Sequence, residues 1–439
     1  MSSSNNTVFF IEPGNHLTGS IRVPGDKSIS HRSIMLGSLA EGMTEVSGFL
    51  QGEDNLATLN AFRAMGVAIE GPDTAGKVRI HGVGLNGLKE PDKALDLGNS
   101  GTSMRLLAGL LSGQKFNSVL TGDKSLNTRP MRRVTVPLTS MGAVIESTKD
   151  ATPPLHIHAS KALNSIQFEM KVASAQVKSS LLLAGLYAEG ETCVTEPAPT
   201  RDHTERMLEG FGYSVNRDGS TVCINGGGHL RATKIDVPAD ISSAAFFMVG
   251  ASIAAGSDIT LQHVGINPTR IGVMNILKTM GANISINNEQ LVGGEPVADI
   301  RVQSAELHGI EIPEDQVPLA IDEFPAIFIA AACAQGKTVL TGARELRVKE
   351  SDRIQVMADG LVTLGVDAVA TDDGMIIQGG QIQAGEVDSH GDHRIAMAFA
   401  MAALRAEGPI TITDCENVNT SFPGFAEIAS KAGLVVQLK

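Results

Sequence analysis

The sequence predicts an α/β protein of two similar domains, each containing three copies of one supersecondary unit. Helical segments of two kinds each recur six times along the 439 residues, and each ends at a glycine that precedes an extended segment. The glycines after the second kind are 68 to 84 residues apart, which gives the period of the repeat. The extended run that ends at Val23-Pro24 is echoed by the run that ends at Val237-Pro238.

The repeated glycines indicate where the helices end. Glycine adopts the left-handed backbone conformation without steric penalty, and that conformation is common directly after a helix. We therefore expect positive φ angles at all twelve glycines. Those after the first kind of helix are Gly42, Gly113, Gly190, Gly256, Gly336 and Gly408. Those after the second kind are Gly66, Gly142, Gly212, Gly281, Gly365 and Gly433.

An even division of six repeats gives three to each domain. We place two chain crossings just after the Val-Pro pairs, near Gly25 and near Asp240. Residues 25–240 then form one domain, and residues 1–24 join residues 241–439 in a discontinuous second domain. Two crossings side by side form a hinge, and a cleft between two lobes is a favoured place for a ligand.

The composition excludes several classes of partner and site. A net charge of −13 argues against nucleic acid and anionic membranes. The apolar stretches fall short of the ~18 residues of a membrane span, and residues 1–7 contain no apolar signal segment. The four cysteines are far apart and form no CxxC pair. We therefore expect reduced thiols, no zinc site and a cytoplasmic protein.

Polar and charged residues stand at the start of the first kind of helix. The earliest helix begins at Asp26-Lys27-Ser28, and Arg32 follows one turn later. Free N–H groups at a helix start favour an anion, and these side chains add donors. The alternative is a capped surface helix whose basic side chains are only solvated. Later helices of this kind begin near Gly98-Asn-Ser-Gly-Thr, Ala173-Ser-Ala-Gln, Asp240-Ile-Ser-Ser, Ala320-Ile-Asp-Glu and Gly391-Asp-His-Arg.

Pseudo-symmetric repeats place equivalent helix ends on equivalent faces, and two such faces in contact would surround one cleft with cations. Polyanionic small molecules suit such a cleft. Taken singly, each motif has a structural alternative, such as a turn at residues 98–102 or a solvated helix face at residues 349–353. The predicted lining is Lys27, Arg32, Arg129, Arg201, Lys349, Arg353 and Arg394, with the carboxylates of Asp322 and Glu350.

Four motifs closely resemble those of the EPSP synthases, in the enolpyruvyl transferase family. They are Pro24-Gly-Asp-Lys-Ser-Ile-Ser-His-Arg, Leu97-Gly-Asn-Ser-Gly-Thr-Ser-Met-Arg, Arg347-Val-Lys-Glu-Ser-Asp-Arg and Asp392-His-Arg-Ile-Ala-Met. The resemblance covers essentially the whole chain. It implies βαβαββ repeats in an inside-out α/β barrel, with the active site in the interdomain cleft. It also implies transfer of an enolpyruvyl group from phosphoenolpyruvate to the 5-hydroxyl of shikimate 3-phosphate, with no metal or cofactor.

The resemblance assigns roles residue by residue. Asp322 would accept a proton, and Glu350 would act as an acid or base. The reaction also needs an acid that protonates the methylene carbon, for which Glu350 and Lys27 are the alternatives. Residues 25–240 would form the shikimate 3-phosphate side, and a monomer is expected. Shikimate 3-phosphate would contact Lys27, Ser28, Arg32, Ser174, Ala175, Gln176, Arg201, Asp322 and Lys349. Phosphoenolpyruvate would contact Lys27, Gly101, Arg129, Gln176, Arg353 and Arg394.

Two other functions remain open. The sister enzyme, UDP-N-acetylglucosamine 1-carboxyvinyltransferase, shares the fold but normally carries a reactive cysteine in the loop that is Thr121–Arg129 here, and this loop has none. A non-catalytic anion-binding protein on the same scaffold is the other alternative. The chain also departs from one branch of the family, because Asn419-Thr-Ser-Phe-Pro has no lysine where that branch binds substrate.

Overall fold

The structure, a computed structural model, describes residues 7–439. The predicted absence of a signal segment rests largely on residues 1–6, which lie outside this range. Strands β1 (Phe9–Ile11) and β2 (Thr18–Ile21) begin the described chain. Contacts divide it into two units. The central unit contains Gly25–Val237 and Val292–Glu295, and the terminal unit contains the chain up to Pro24, Pro238–Leu291 and Pro296–Lys439.

The central unit contains six helices and three four-stranded sheets. Its helices are α1 (Lys27–Leu39), α2 (Glu53–Ala64), α3 (Gly101–Leu111), α4 (Arg132–Ser140), α5 (Ala175–Gly185) and α6 (His203–Gly210). Its strands are β3 (Glu41–Ser47), β4 (Ala68–Glu70), β5 (Val78–Val83), β6 (Leu95–Asp96), β7 (Ser118–Thr121), β8 (Ile145–Glu146), β9 (Leu155–Ile157), β10 (Leu163–Asn164), β11 (Gln167–Glu169), β12 (Ala188–Glu189), β13 (Glu191–Thr195), β14 (Asn216–Asp218), β15 (Thr221–Asn225) and β16 (Lys234–Asp236).

The terminal unit contains the other six α-helices of the described chain. They are α7 (Ile241–Ile253), α8 (Gly272–Thr279), α9 (Phe324–Cys333), α10 (Arg353–Thr363), α11 (His393–Ala402) and α12 (Phe425–Ala432). The remaining strands are β17 (Asp258–Gly265), β18 (Asn283–Val292), β19 (Glu295–Gln303), β20 (Lys337–Leu340), β21 (Asp367–Ala370), β22 (Met375–Gln378), β23 (Gly385–Asp388), β24 (Ile410–Thr413) and β25 (Val436–Leu438). Short 3-10 helices lie at Leu126–Thr128, Glu314–Gln316, Arg344–Val348, Ala403–Arg405 and Glu416–Thr420.

The sheets show that the repeat has the order βαβαββ. In the central unit they run β16-β3-β5-β4, β6-β7-β9-β8 and β11-β13-β15-β14. In each sheet the first two strands are parallel and the other neighbours antiparallel. The same α/β order was predicted, and it is confirmed.

The terminal unit uses the start of the chain to complete two of its repeats. Its sheets run β2-β17-β19-β18, β20-β22-β21 and β23-β24-β1-β25. Strand β2 pairs in parallel with β17, so it serves as the first strand of the fourth repeat. Strand β1 pairs in antiparallel fashion with β24 and β25 and serves as the last strand of the sixth.

The first kind of helix forms the core of each unit. All thirteen residues of α7 are buried, and α9 and α11, which pack against it, are almost as enclosed. A helix without a polar face must be covered on all sides. Small residues allow this close packing: a Cβ added at Gly109 of α3 would lie 2.0 Å from the Ser180 carbonyl oxygen of α5. No helix within residues 7–439 has the length and hydropathy to cross a membrane.

The glycines after the second kind of helix all have positive φ, between 78° and 115°, as predicted. Each ends its helix with the same two backbone hydrogen bonds. In α6 these run from the Gly212 N–H to the Glu209 carbonyl and from the Tyr213 N–H to the Leu208 carbonyl. In the first group the prediction fails at Gly113 and Gly408, which do not have positive φ. Both instead lie against neighbouring side chains, where a Cβ would meet Tyr187 at 2.3 Å and Ala384 at 2.7 Å.

The expectation of four reduced thiols is wrong. Cys193 and Cys223 form a disulfide, because β13 and β15 are antiparallel neighbours that pair these two residues directly. The two cysteines are 30 residues apart in the sequence, so the sequence alone does not show that they are in contact. Cys333 and Cys415 carry free thiols, and burial raises the pKa of each to about 12.

We expect Gly212→Ala to destabilise the fold by about 1–2 kcal/mol, because a Cβ is strained at its φ of 78° although it has space. Gly380→Ala is the matched control, since Gly380 is also exposed, has open space and does not have positive φ. Denaturant unfolding would measure both variants. Equal midpoints for the two would contradict the strain argument.

His31 of α1 makes the fold sensitive to acid. It is fully buried, and its Nδ1 lies 2.8 Å from Thr58 Oγ1 of α2. Burial, together with the charges of Lys27 and Arg32, holds its pKa well below the ordinary value of 6.5. The unfolded chain therefore binds a proton below about pH 6.5 that the folded chain does not bind, so stability is retained at higher pH and lost as pH falls.

We expect His31→Asn to weaken this pH dependence. In the wild type, His31 lowers the free energy of unfolding by up to about 1.4 kcal/mol for each pH unit below 6.5, and asparagine does not. Thermal unfolding of wild type and variant between pH 7.5 and pH 5 would measure it. His156→Asn, at an exposed position of β9, controls for the loss of one imidazole. Parallel profiles for wild type and His31→Asn would show that the folded-state pKa of His31 is not depressed.

Candidate active site

The predicted site residues fall into two clusters, one in each unit. The central cluster lies at the starts of α1, α3 and α5 and includes Arg129 and Arg201, which lie outside those helices. The terminal cluster lies around the starts of α9, α10 and α11. Its predicted members are Asp322, Lys349, Glu350, Arg353 and Arg394.

Lys27 lies at the first turn of α1, where Asp26 caps the helix by accepting a hydrogen bond from the Ile29 N–H at 2.8 Å. The Lys27 ammonium is 2.5 Å from Asp54 Oδ2 of α2. Asn55 of α2 also donates to the Lys27 carbonyl at 3.0 Å. The start of α2 therefore holds Lys27 in place, a role that sequence analysis did not identify.

Arg32 is more enclosed than the sequence predicts. Its Nε donates to Thr204 Oγ1 at 2.7 Å and its NH2 to Ser179 Oγ at 2.8 Å, while its NH1 donates to the Ser28 carbonyl at 2.9 Å. Burial lowers its pKa to about 10, and the charge of nearby Arg201 acts in the same direction. Arg32 thus ties α1 to α5 and α6 and adds positive charge beside Arg201.

Gly101, Arg129 and Gln176 come together around Arg105. The Arg105 guanidinium donates to Gln176 Oε1 at 2.9 Å and to the Gly101 carbonyl at 3.2 Å. A Cβ at Gly101 would lie 2.8 Å from Arg105 NH1 and 3.2 Å from Arg129 NH1, so glycine keeps this space open. Asn99 accepts from Arg129 NH2 at 2.6 Å.

The start of α5 supplies three predicted residues. Ser174 caps the helix, Ala175 is its first residue, and Gln176 also donates to Thr102 Oγ1 at 3.1 Å. Below it, Lys178 is buried between the carboxylates of Glu205 and Glu196, at 2.7 and 3.1 Å. These buried charges are absent from the predicted set, because sequence alone does not show which charged residues are enclosed.

The terminal cluster is a connected set of ion pairs. Asp322 Oδ1 lies 3.3 Å from Lys349 Nζ and 3.5 Å from Arg353 NH1. Glu350 accepts from Arg353 NH2 at 2.7 Å. The Asp322 carbonyl accepts from Arg394 NH1 at 2.9 Å. All five predicted residues of this unit therefore meet.

Asp392, which is not among the predicted site residues, holds this cluster together. It is fully buried, caps α11 and accepts from both Nε and NH2 of Arg353, at 2.7 and 3.2 Å. Burial alone would lower the pKa of Arg353, but the charges of Asp392 and Glu350 outweigh it and raise the pKa above its ordinary value. Burial likewise acts to raise the pKa of Asp392, and the Arg353 charge outweighs it and keeps that pKa low.

Both clusters suit anionic ligands. Each joins arginine or lysine donors to the free N–H groups of a helix start. The buried Arg353 NH1 makes no hydrogen bond within the described residues and lies beside Asp322.

Comparison with known proteins agrees with this chemistry. The family model for EPSP synthase (3-phosphoshikimate 1-carboxyvinyltransferase) matches residues 11–428. Proteins named 3-phosphoshikimate 1-carboxyvinyltransferase from Nitrosococcus oceani and Methylococcus capsulatus are 67% and 69% identical to the chain. The alignments cover 99% and 98% of this chain and 98% of each relative.

Solved structures give the same result. An EPSP synthase from Acinetobacter baumannii superposes with a TM-score of 0.90 at 61% identity, covering 99% of this chain and all of that one. The enolpyruvyl transferase NikO from Streptomyces tendae shares the fold, with a TM-score of 0.78 at 16% identity and 99% coverage of both chains. Because the family model matches residues 11–428 of its 439 residues, this chain belongs to the EPSP synthase family.

Proposed function

We propose that this protein transfers the enolpyruvyl group of phosphoenolpyruvate to the 5-hydroxyl of shikimate 3-phosphate, releasing phosphate. The step belongs to the shikimate pathway of aromatic amino acid biosynthesis. The observation that carries the proposal is the identity of at least 67% to proteins named for this reaction, across 98% or more of the chain. The two clusters supply cations for the phosphate and carboxylate groups of both substrates.

The central cluster is proposed to bind mainly shikimate 3-phosphate. Lys27, Ser28, Arg32 and Arg201 are assigned to its phosphate. Three hydrogen bonds from the Arg32 guanidinium to groups of its own unit hold that side chain in place. We propose that Arg129, with Gly101 and Gln176, contacts phosphoenolpyruvate. The short chain of contacts through Arg105 sets the spacing between these groups. Ser174 and Ala175 complete the set at the start of α5.

The terminal cluster is proposed to supply the chemistry. Asp322 takes the proton of the 5-hydroxyl of shikimate 3-phosphate. The hydroxyl oxygen forms a bond to C2 of phosphoenolpyruvate, and C3 gains a proton. Glu350 or Lys27 delivers that second proton. The tetrahedral intermediate then loses phosphate from C2 and a proton from C3, which restores the double bond. Lys349 is assigned to shikimate hydroxyls, and Arg353 and Arg394 to phosphoenolpyruvate.

Further parts of the proposal concern organisation and location. We propose residues 25–240 as the shikimate 3-phosphate domain, with residues 1–24 and 241–439 as the second domain. We also propose a monomer located in the cytoplasm that needs no nucleic acid or membrane partner. The Cys193–Cys223 disulfide removes the argument from reduced thiols, because disulfides are rare in cytoplasmic proteins. The net charge of −13 supports the lack of a nucleic-acid partner.

We expect the purified protein to release phosphate from phosphoenolpyruvate with shikimate 3-phosphate as acceptor. It should release none with UDP-N-acetylglucosamine, because the loop at 121–129 lacks the cysteine that the sister enzyme uses. A phosphate-release assay with each acceptor separates the alternatives. Release only with the nucleotide sugar would identify the sister activity, and no release with either would favour a non-catalytic protein.

We expect Asp322→Asn to lower kcat by about 10²- to 10⁴-fold, because the amide cannot accept the hydroxyl proton. Steady-state kinetics would measure it, and calorimetric titration of shikimate 3-phosphate would show whether binding persists. Asp359→Asn is the control, since Asp359 is an exposed carboxylate of α10 in the same unit. Near-normal turnover in Asp322→Asn would remove Asp322 from the role of base.

A further inference from the structure

A second carboxylate, Glu323, directly follows Asp322 at the start of α9. Its side chain is fully buried, whereas the side chain of Asp322 is 15% exposed. Glu323 Oε1 accepts a short hydrogen bond from Ser242 Oγ of α7. Glu323 occupies the N-cap position of α9, but its side chain accepts no hydrogen bond from the first turn of that helix. The side chain therefore serves something other than the end of its own helix.

Two guanidinium groups face this carboxylate. Arg394 NH1, from the start of α11, is 3.8 Å from Glu323 Oε1, and Arg270 NH2 is 3.9 Å from the same oxygen. Arg270 is held in turn by Ser242 Oγ at 2.7 Å and by Asp240 Oδ1 at 3.1 Å. Glu323 thus lies among the starts of α7, α9 and α11, between one buried arginine and the partly exposed Arg394.

Such a buried carboxylate is costly unless it is compensated. Glu323 Oε2 is buried and makes no hydrogen bond within the described residues, so its compensation comes from Ser242 and the two arginines. Arg394 NH1 is also anchored to the Asp322 carbonyl at 2.9 Å. One edge of the Arg394 guanidinium is therefore directed toward Glu323 and the backbone, which leaves its other N–H groups for a ligand.

We infer that Glu323 is a positioning residue that holds Arg394 in the orientation needed to bind the phosphoenolpyruvate carboxylate. It acts through Arg394 and does not touch the substrate. Arg270 and Ser242 fix Glu323, so the support for Arg394 extends from α11 to α7. This inference rests on the proposed function, because it assigns Arg394 to phosphoenolpyruvate.

The test is a double-mutant cycle between Glu323→Gln and Arg394→Ala, with kinetics measured at saturating shikimate 3-phosphate. We expect Glu323→Gln to raise the KM for phosphoenolpyruvate on the order of tenfold, because the neutral amide no longer attracts the Arg394 guanidinium across 3.8 Å. The kcat should change by less than about threefold, because the reacting groups stay in place. In the Arg394→Ala background the same change should have almost no effect on KM.

Two further variants keep the test decisive. Glu323→Asp retains the negative charge but places it further from Arg394, because the side chain is shorter. It should therefore raise the KM less than Glu323→Gln. This variant also keeps the test possible if the glutamine variant does not fold. Glu295→Gln is the matched control: Glu295 is also a buried carboxylate, paired with His203 at 2.8 Å in the central unit, and its change should leave the KM unaltered.

The outcomes separate the two proposals. Wild-type protein that releases no phosphate would contradict the proposed function itself. If wild type is active, additive effects in the cycle would overturn the positioning role. An equal fall in kcat for Glu323→Gln and Glu295→Gln, with KM unchanged, would also overturn it, because that result describes only a general loss of structure.

Discussion

The burial of the six first-type helices is the constraint on which the rest of the structure depends. Helices α7, α9 and α11 consist almost entirely of apolar and small residues, so each must be enclosed within its unit. Enclosure requires close backbone contact, which explains the abundance of glycine, alanine and serine and the contact at Gly109. The first turns of these helices carry several of the predicted site residues, and segments beside them add Arg129, Arg201, Lys349 and Glu350.

The close packing of these helices buries several charged side chains. Arg32, Lys178, Arg353 and Glu323 are almost fully enclosed, and each is compensated by partners from other helices. A buried ion pair adds little net stability but strongly penalises the loss of one partner. These networks therefore hold the helix starts in one arrangement. They also give the arginines that we propose as substrate ligands a fixed direction.

The two units hold their helix starts in place with different side chains. In the central unit, hydroxyl and amide groups such as Thr58, Ser103 and Gln176 connect the helices together with the carboxylates of Asp54 and Glu205. In the terminal unit the carboxylates of Glu323 and Asp392 make most of these connections. The difference fits the proposed division of labour. The central cluster presents mainly donors, which suit a phosphate, whereas the terminal cluster combines donors with the carboxylates that proton transfer requires.

The sequence alone determined the repeat, the α/β class and the charged residues predicted for the site. Helix periodicity, closing glycines and helix-start motifs are local signals, so they can be recognised without the tertiary structure. The second-type glycines illustrate this, since one residue and its neighbours decide a positive φ. Only the tertiary structure decided which side chains form ion pairs and a disulfide. These pairs are Asp54 with Lys27, Asp392 with Arg353, and Cys193 with Cys223. Those partners are 27, 39 and 30 residues apart, and nothing local distinguishes a buried carboxylate or thiol from a solvated one. Burial and pairing depend on how strands and helices distant in sequence are packed together, so they emerge only when the repeats fold.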